Sequence, residues 1–144
     1  MKHIGCQGSF TELIATAGSC LRSRRDVLFA YLFGSAAWGR THSMSDLDIA
    51  VYLEGENPSG NRMEILGSLI DALKMDAIDL VVLNTASLPL KARIVRSRRV
   101  LADRAPFVRQ AFESAIIRAY LDFSKLETRI LEKRYLHGRQ DPGA

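Results

Sequence analysis

Gly34-Ser35, a spacer of ten residues, and then Asp46-Leu47-Asp48 are residue types that handle a phosphorylated substrate. A Gly-Ser turn leaving a buried strand bares backbone N–H groups and one hydroxyl, the donors a triphosphate needs. Asp46 and Asp48 are two apart at the start of a predicted strand. Side chains alternate along a strand, so both carboxylates share one face, with Cα atoms roughly 6.5–7 Å apart. That separation suits a pair of divalent ions about 3.5–4 Å apart. A third ligand is expected from a neighbouring strand, and Asp76 and Asp79 are the candidates. Asp76 precedes the apolar run and reads as solvated. Asp79 lies within it (Ile78-Asp79-Leu80-Val81-Val82-Leu83), where an unpartnered charge is costly and a metal would be a partner. A phosphate cradle beside metal-binding carboxylates is the equipment of nucleotidyl transfer.

The elements that must hold these residues follow from periodicity. Apolar Phe10, Leu13, Ile14, Ala17 and Leu21 recur at helical spacing over 8–24. Strands are predicted at 27–33, about 47–53 and 78–83, with a short one at Val100-Leu101-Ala102. Residues 36–45 read as a helical turn or loop, and Glu54–Gly60 as a loop by its Gly, Pro, Asn and Ser content. A helix over 61–74 would carry Met63, Leu66, Ile70 and Leu73 on one face. Another, from 88 to about 98, would be capped by Ser87 with Pro89 in its first turn. The last helix runs from Pro106 to about Arg134 with no internal Gly or Pro. A periodic run beyond about 25 residues hints at a partner helix. Residues 1–137 are expected to form one domain, with 138–144 a disordered tail. The alternation of helices and strands is α/β or α+β, with helices flanking a small mixed sheet.

Bulk properties narrow the classes. At 144 residues, 47% apolar and 25% charged, the chain has the make-up of a globular domain. No apolar run approaches the roughly 18 residues that span a membrane, and no secretory pattern opens the chain, so a cytoplasmic protein is expected. Cys6 and Cys20 lack metal-ligand spacing. The net charge of +4 is uneven: residues 1–90 hold 7 Lys/Arg against 10 Asp/Glu, and residues 91–144 hold 13 against 6. The basic half suits an acidic partner or phosphates, or is a solvated helix face.

From Gly34 to Leu53 the sequence GSAAWGRTHSMSDLDIAVYL resembles the nucleotidyltransferase superfamily that includes DNA polymerase β. It is most similar to the minimal nucleotidyltransferases, the MntA-type antitoxins paired with HEPN-domain HepT toxins. Their Gly-Ser-x-Ala-x-Gly and Ser-Asp-x-Asp elements are matched by Gly34, Ser35, Ala37, Gly39, Ser45, Asp46 and Asp48. The resemblance implies a polymerase β-like fold with a long C-terminal helix. It implies two Mg²⁺ ions held by Asp46, Asp48 and Asp79, and ATP as substrate. Gly34 and Ser35 would bind its phosphates. Arg40 would reach the triphosphate or stay in solvent, and Ser45 would bind phosphate or cap a turn. The activity implied is that of an antitoxin of a type VII-like pair, which transfers AMP to a tyrosine of its HEPN ribonuclease in a hetero-oligomer. Neither a membrane nor direct nucleic-acid contact is expected. Two other readings stand beside it. One is a small-molecule transferase of the aminoglycoside type, for which the short chain has little spare structure. The other is a non-catalytic toxin-binding module, against which the intact carboxylates argue.

Overall fold

The computed structural model describes the backbone of residues 6–34, 46–55 and 61–140, and side chains within 10–134. The order is α1 (Cys6–Arg22), β1 (Val27–Phe33), β2 (Leu47–Leu53), α2 (Arg62–Leu73), β3 (Ile78–Val82), α3 (Leu88–Arg96), β4 (Arg99–Asp103) and α4 (Pro106–Gln140). The four strands form one mixed sheet in the order β3-β2-β1-β4. β1 pairs antiparallel with both β2 and β4, and β2 pairs parallel with β3. The sheet is the small mixed one expected, with helices on both faces.

The near-continuous apolar sequence of β1, Val-Leu-Phe-Ala-Tyr-Leu-Phe, belongs to a central strand covered on both sides. One face packs Val27, Ala30 and Leu32 with Ile49, Val51, Leu80 and Val82 against α1 and α2. The other packs Phe29, Tyr31, Phe33 and Ala50 against Ile94 of α3 and Phe112 of α4. Strand alternation places Asp48 on this second face, with Ala50 and Tyr52. It places Asp79 there too, with Val81.

Several expectations need adjusting. In α2 the buried positions are Ile65, Leu69 and Leu73, while Met63 is exposed; the stripe that wins is the one that can lie flat on α1 and the sheet. α3 stops at Arg96 rather than at about 98: Ser97 leaves the helical conformation, its N–H donating to the Ile94 carbonyl at 3.2 Å, and Arg98 Nη1 donates to the Val95 carbonyl at 2.8 Å. Ser87 caps α3 as predicted, its hydroxyl accepting from the Leu90 N–H at 3.4 Å. β4 gains a residue at each end, Arg99 and Asp103, by pairing with Leu32 and Phe29. α4 does not end near Arg134 but continues to Gln140, through Gly138. One glycine costs a helix only about 1 kcal/mol, and the next proline is Pro142. The span 36–45 and residues 141–144 of the expected tail lie outside the described residues.

Candidate active site

The register of the sheet builds the site. Phe33, the last residue of β1, lies opposite Asp48 of β2, and Asp48 lies beside Asp79 of β3. Neighbouring strands are about 4.8 Å apart, so these two carboxylates start from adjacent backbone on one face. Asp46 is two residues earlier, where Leu47 extends the ladder by donating to the Ala77 carbonyl at 2.8 Å. The three acids therefore stand together at the end of the sheet where β1 leaves it. Asp46 and Asp79 are exposed and Asp48 is half-buried. The exposure of Asp79 removes the argument that burial inside β3 forces it to find a partner. β3 is an edge strand, and its first two residues are less buried than Leu80 and Val82.

Burial first, and then the charges of Asp79 and Asp46, push the Asp48 carboxyl above its ordinary range, while Arg93 of α3 pulls it back. Like charges at short range add to the effect of burial, and a divalent cation would relieve it. The donor set, three hard carboxylate oxygens on one face, fits Mg²⁺ by type. Among the described residues, however, no three acidic, histidine or cysteine side chains are closed into a metal-holding group as they stand.

Gly34 is tied to this site twice. Its φ of +75° lies in the left-handed region. A Cβ built on it would come within 2.5 Å of Asp48 Oδ2. Only a residue with no side chain lets the turn after β1 pass so close to the carboxylate. Gly34→Ala is expected to cost about 1–2 kcal/mol in backbone strain alone. It should also displace the Asp48 carboxylate, so that transferase activity falls far more than stability; parallel urea titration and turnover assays check this. Ser35, Arg40 and Ser45 lie outside the described residues.

Two features have no counterpart in the sequence reading. Arg93 is one. The other is Glu113, a charged residue buried on α4. The Tyr31 hydroxyl donates to Glu113 Oε2 at 2.6 Å, Arg109 Nη1 donates to the same oxygen at 3.0 Å, and Arg98 Nη2 donates to Oε1 at 3.1 Å. Arg109 also holds Asp103 of β4 at 2.7 Å. Burial, and then Glu113, push the Tyr31 phenol far above its ordinary range, so it stays a donor. This network fastens α4 to β1 and β4 beside the site. A visible signal was available: Glu113 falls between Phe112 and Ile116 on the core-facing stripe, four residues after Arg109.

Comparison with known proteins agrees with the geometry. The profile of the family described as "Polymerase beta, Nucleotidyltransferase" matches residues 16–107, which includes all three acids and α3. No curated protein matches the sequence. Among solved structures, a chain of a toxin–antitoxin complex with AMP-PNP is similar at a TM-score of 0.69 and 28% identity, covering 85% of this chain and 98% of that one. A chain of the complex of a tri-AMPylated Shewanella oneidensis HEPN toxin with an MNT antitoxin is similar at 0.61 and 26%, covering 90% and 98%. A chain of an MntA–HepT complex is similar at 0.61 and 25%, with the same coverage. With a polymerase β-like sheet, its acids at one end and a family profile spanning them, the chain belongs to the polymerase beta nucleotidyltransferase family.

Proposed function

We propose that this nucleotidyltransferase is the antitoxin of a toxin–antitoxin pair and moves AMP from ATP to a tyrosine of a HEPN-domain toxin. The observation that carries this is the shared face of Asp46, Asp48 and Asp79 beside the Gly34 turn, in a chain similar over most of its length to toxin–antitoxin complexes, one holding AMP-PNP and one an AMPylated HEPN toxin. Asp46, Asp48 and Asp79 would hold Mg²⁺, which when bound neutralises phosphate charge and lowers the cost of forming an oxyanion. The rest falls to the protein. Gly34 and Ser35 would hold the triphosphate by backbone N–H groups and one hydroxyl. The phenolic oxygen attacks the α-phosphorus, an O–P bond forms, the bond from that phosphorus to the α,β-bridging oxygen breaks, and pyrophosphate leaves with the electron pair. The exposed Asp79 carboxylate would help take the phenolic proton.

α4 supports a protein acceptor rather than a small one. Its first turns pack on the domain through Phe112, Glu113, Ile116 and Tyr120. The same stripe then runs on uncovered: Phe123, Leu126, Ile130 and Leu131 are all exposed. Twenty residues past Tyr120 add about 30 Å of helix. An apolar stripe of that length, flanked by Arg129, Lys133 and Arg134, suits a docked protein with an acidic rim. Phe123→Asp with Ile130→Asp should weaken toxin capture by roughly 30-fold or more, at about 2 kcal/mol for a lost anchor. The domain's melting temperature should not change. Equal pull-down of wild type and double variant would remove α4 from the interface.

The reaction itself is tested by incubating the protein and its genomic neighbour's product with α-labelled and γ-labelled ATP. Transfer of the α label alone, to a tyrosine of the neighbour, is expected. Labelling of a small molecule, or neutralisation of the toxin without label, would overturn the proposal in favour of one of the two other readings.

A further inference from the structure

Several arginines of this domain are already engaged. Arg24 is held by Asp26 and Glu64, Arg98 and Arg109 by Glu113, and Arg62 by the Leu80 carbonyl. Arg93 is different. Among the described residues its guanidinium has no ion pair or hydrogen bond, and it is exposed.

Its position on α3 follows from what the rest of that helix touches. Leu90 and Ile94 pack down on the sheet face that holds Phe33, Ala50 and Val81, the strand neighbours of Asp48 and Asp79. Ala92 and Val95 pack sideways on Ile116 of α4. At about 100° per residue, Arg93 lies on the flank of α3 turned away from α4. α4 covers the β1 and β4 side, through Tyr31 and Asp103. The opposite flank is the side of β2 and β3, where the acids stand.

We infer that Arg93 binds the triphosphate of the incoming nucleotide, holding the β- and γ-phosphate oxygens across from the Gly34 turn. The inference rests on the nucleotide-transfer reading above. A planar, permanently charged guanidinium without a protein partner is suited to grip phosphate oxygens by paired N–H donors. Leu90 and Ile94 seat α3 over the strand neighbours of Asp48 and Asp79, so the flank that carries Arg93 borders the place where phosphates would be held. A cation there does two things for the reaction. It offsets the repulsion between a polyanion and three carboxylates, and it stabilises the charge that builds on departing pyrophosphate. It touches the leaving group, not the base, so it should not select among nucleotides.

The test is binding by the full chain of ATP with Mg²⁺, followed by calorimetry, with AMP measured as a competitor. R93A should bind ATP at least tenfold more weakly, with AMP affinity changed less than twofold. R93K, which keeps the charge but loses the fork, should fall between. Melting temperature should not move, since the side chain is exposed. ATP affinity equal to wild type in R93A would overturn the assignment, as would equal loss for ATP and AMP. If wild-type protein binds no nucleoside triphosphate, the nucleotide-transfer reading fails and this inference falls with it. That outcome is separate from a wild type that binds beside a variant that binds equally well.

Discussion

Asp48→Asn is expected to abolish nucleotide transfer while leaving the protein as stable as before, or more so. Asp48 sits in the middle of the three acids, opposite Phe33 and beside Asp79. The amide keeps the shape and loses the charge a hard cation needs. Loss of partners that merely orient metal ligands costs 10–100-fold, so loss of a group proposed as a ligand should cost at least about 100-fold in turnover. The stability side has a definite sign. Folding raises the Asp48 pKa through burial and through the charges of Asp79 and Asp46. A carboxyl raised in this way binds its proton more tightly in the folded state. Its ionised form therefore weakens the fold as pH rises from the ordinary carboxylate value through the raised one. Asn is permanently neutral. The variant should match wild type at acid pH below the ordinary carboxylate range and melt at the same or a higher temperature at neutral pH. Added Mg²⁺ should narrow that gap by stabilising wild type alone. Wild-type turnover in D48N with Mg²⁺ would rule out metal-assisted transfer at this position.

The second large effect is expected from Glu113→Ala, and it should be on stability. Removal of this carboxylate leaves the Tyr31 hydroxyl without its acceptor and strips Arg98 and Arg109 of their shared anion. Removing one partner of a buried charge network typically costs 3–5 kcal/mol. Arg98 keeps partial access to water and Arg109 keeps Asp103, so about 3 kcal/mol is expected. For a chain of this size that is roughly 10 °C in melting temperature. E113Q, which can still accept from Tyr31, should recover part of it. Urea titration of the three proteins checks this, and a loss under about 1 kcal/mol in E113A would mean that the network is not what fastens α4. Because β1 leads directly into the Gly34 turn, the same variant should also slow transfer.

Much of this molecule could be read from local pattern. The doubled apolar runs around Gly34-Ser35 and Asp46-x-Asp48 placed two strands, because an apolar run of strand length is a local property of the chain. The Ser87 cap of α3 was legible for the same reason: its partner is three residues away. The uncovered stripe of α4 is likewise a matter of 3.6-residue spacing running longer than any domain needs. What tertiary structure alone decided is everything that depends on which strand lies beside which. The parallel pairing of β2 with β3 brings Asp79 level with Asp48 across 31 residues of chain, and it leaves Asp79 exposed on an edge instead of buried in a core run. Packing also chose Ile65, Leu69 and Leu73 over the Met63 stripe in α2, since two apolar stripes overlap on that helix and only contact with α1 distinguishes them. Glu113 meets Tyr31 across 82 residues, and Arg93 comes to stand on the acidic side of α3 because α4 occupies the other. Periodicity reports what a segment turns toward its own axis or face; electrostatic partners are set by the spatial order of the elements, which no local spacing encodes.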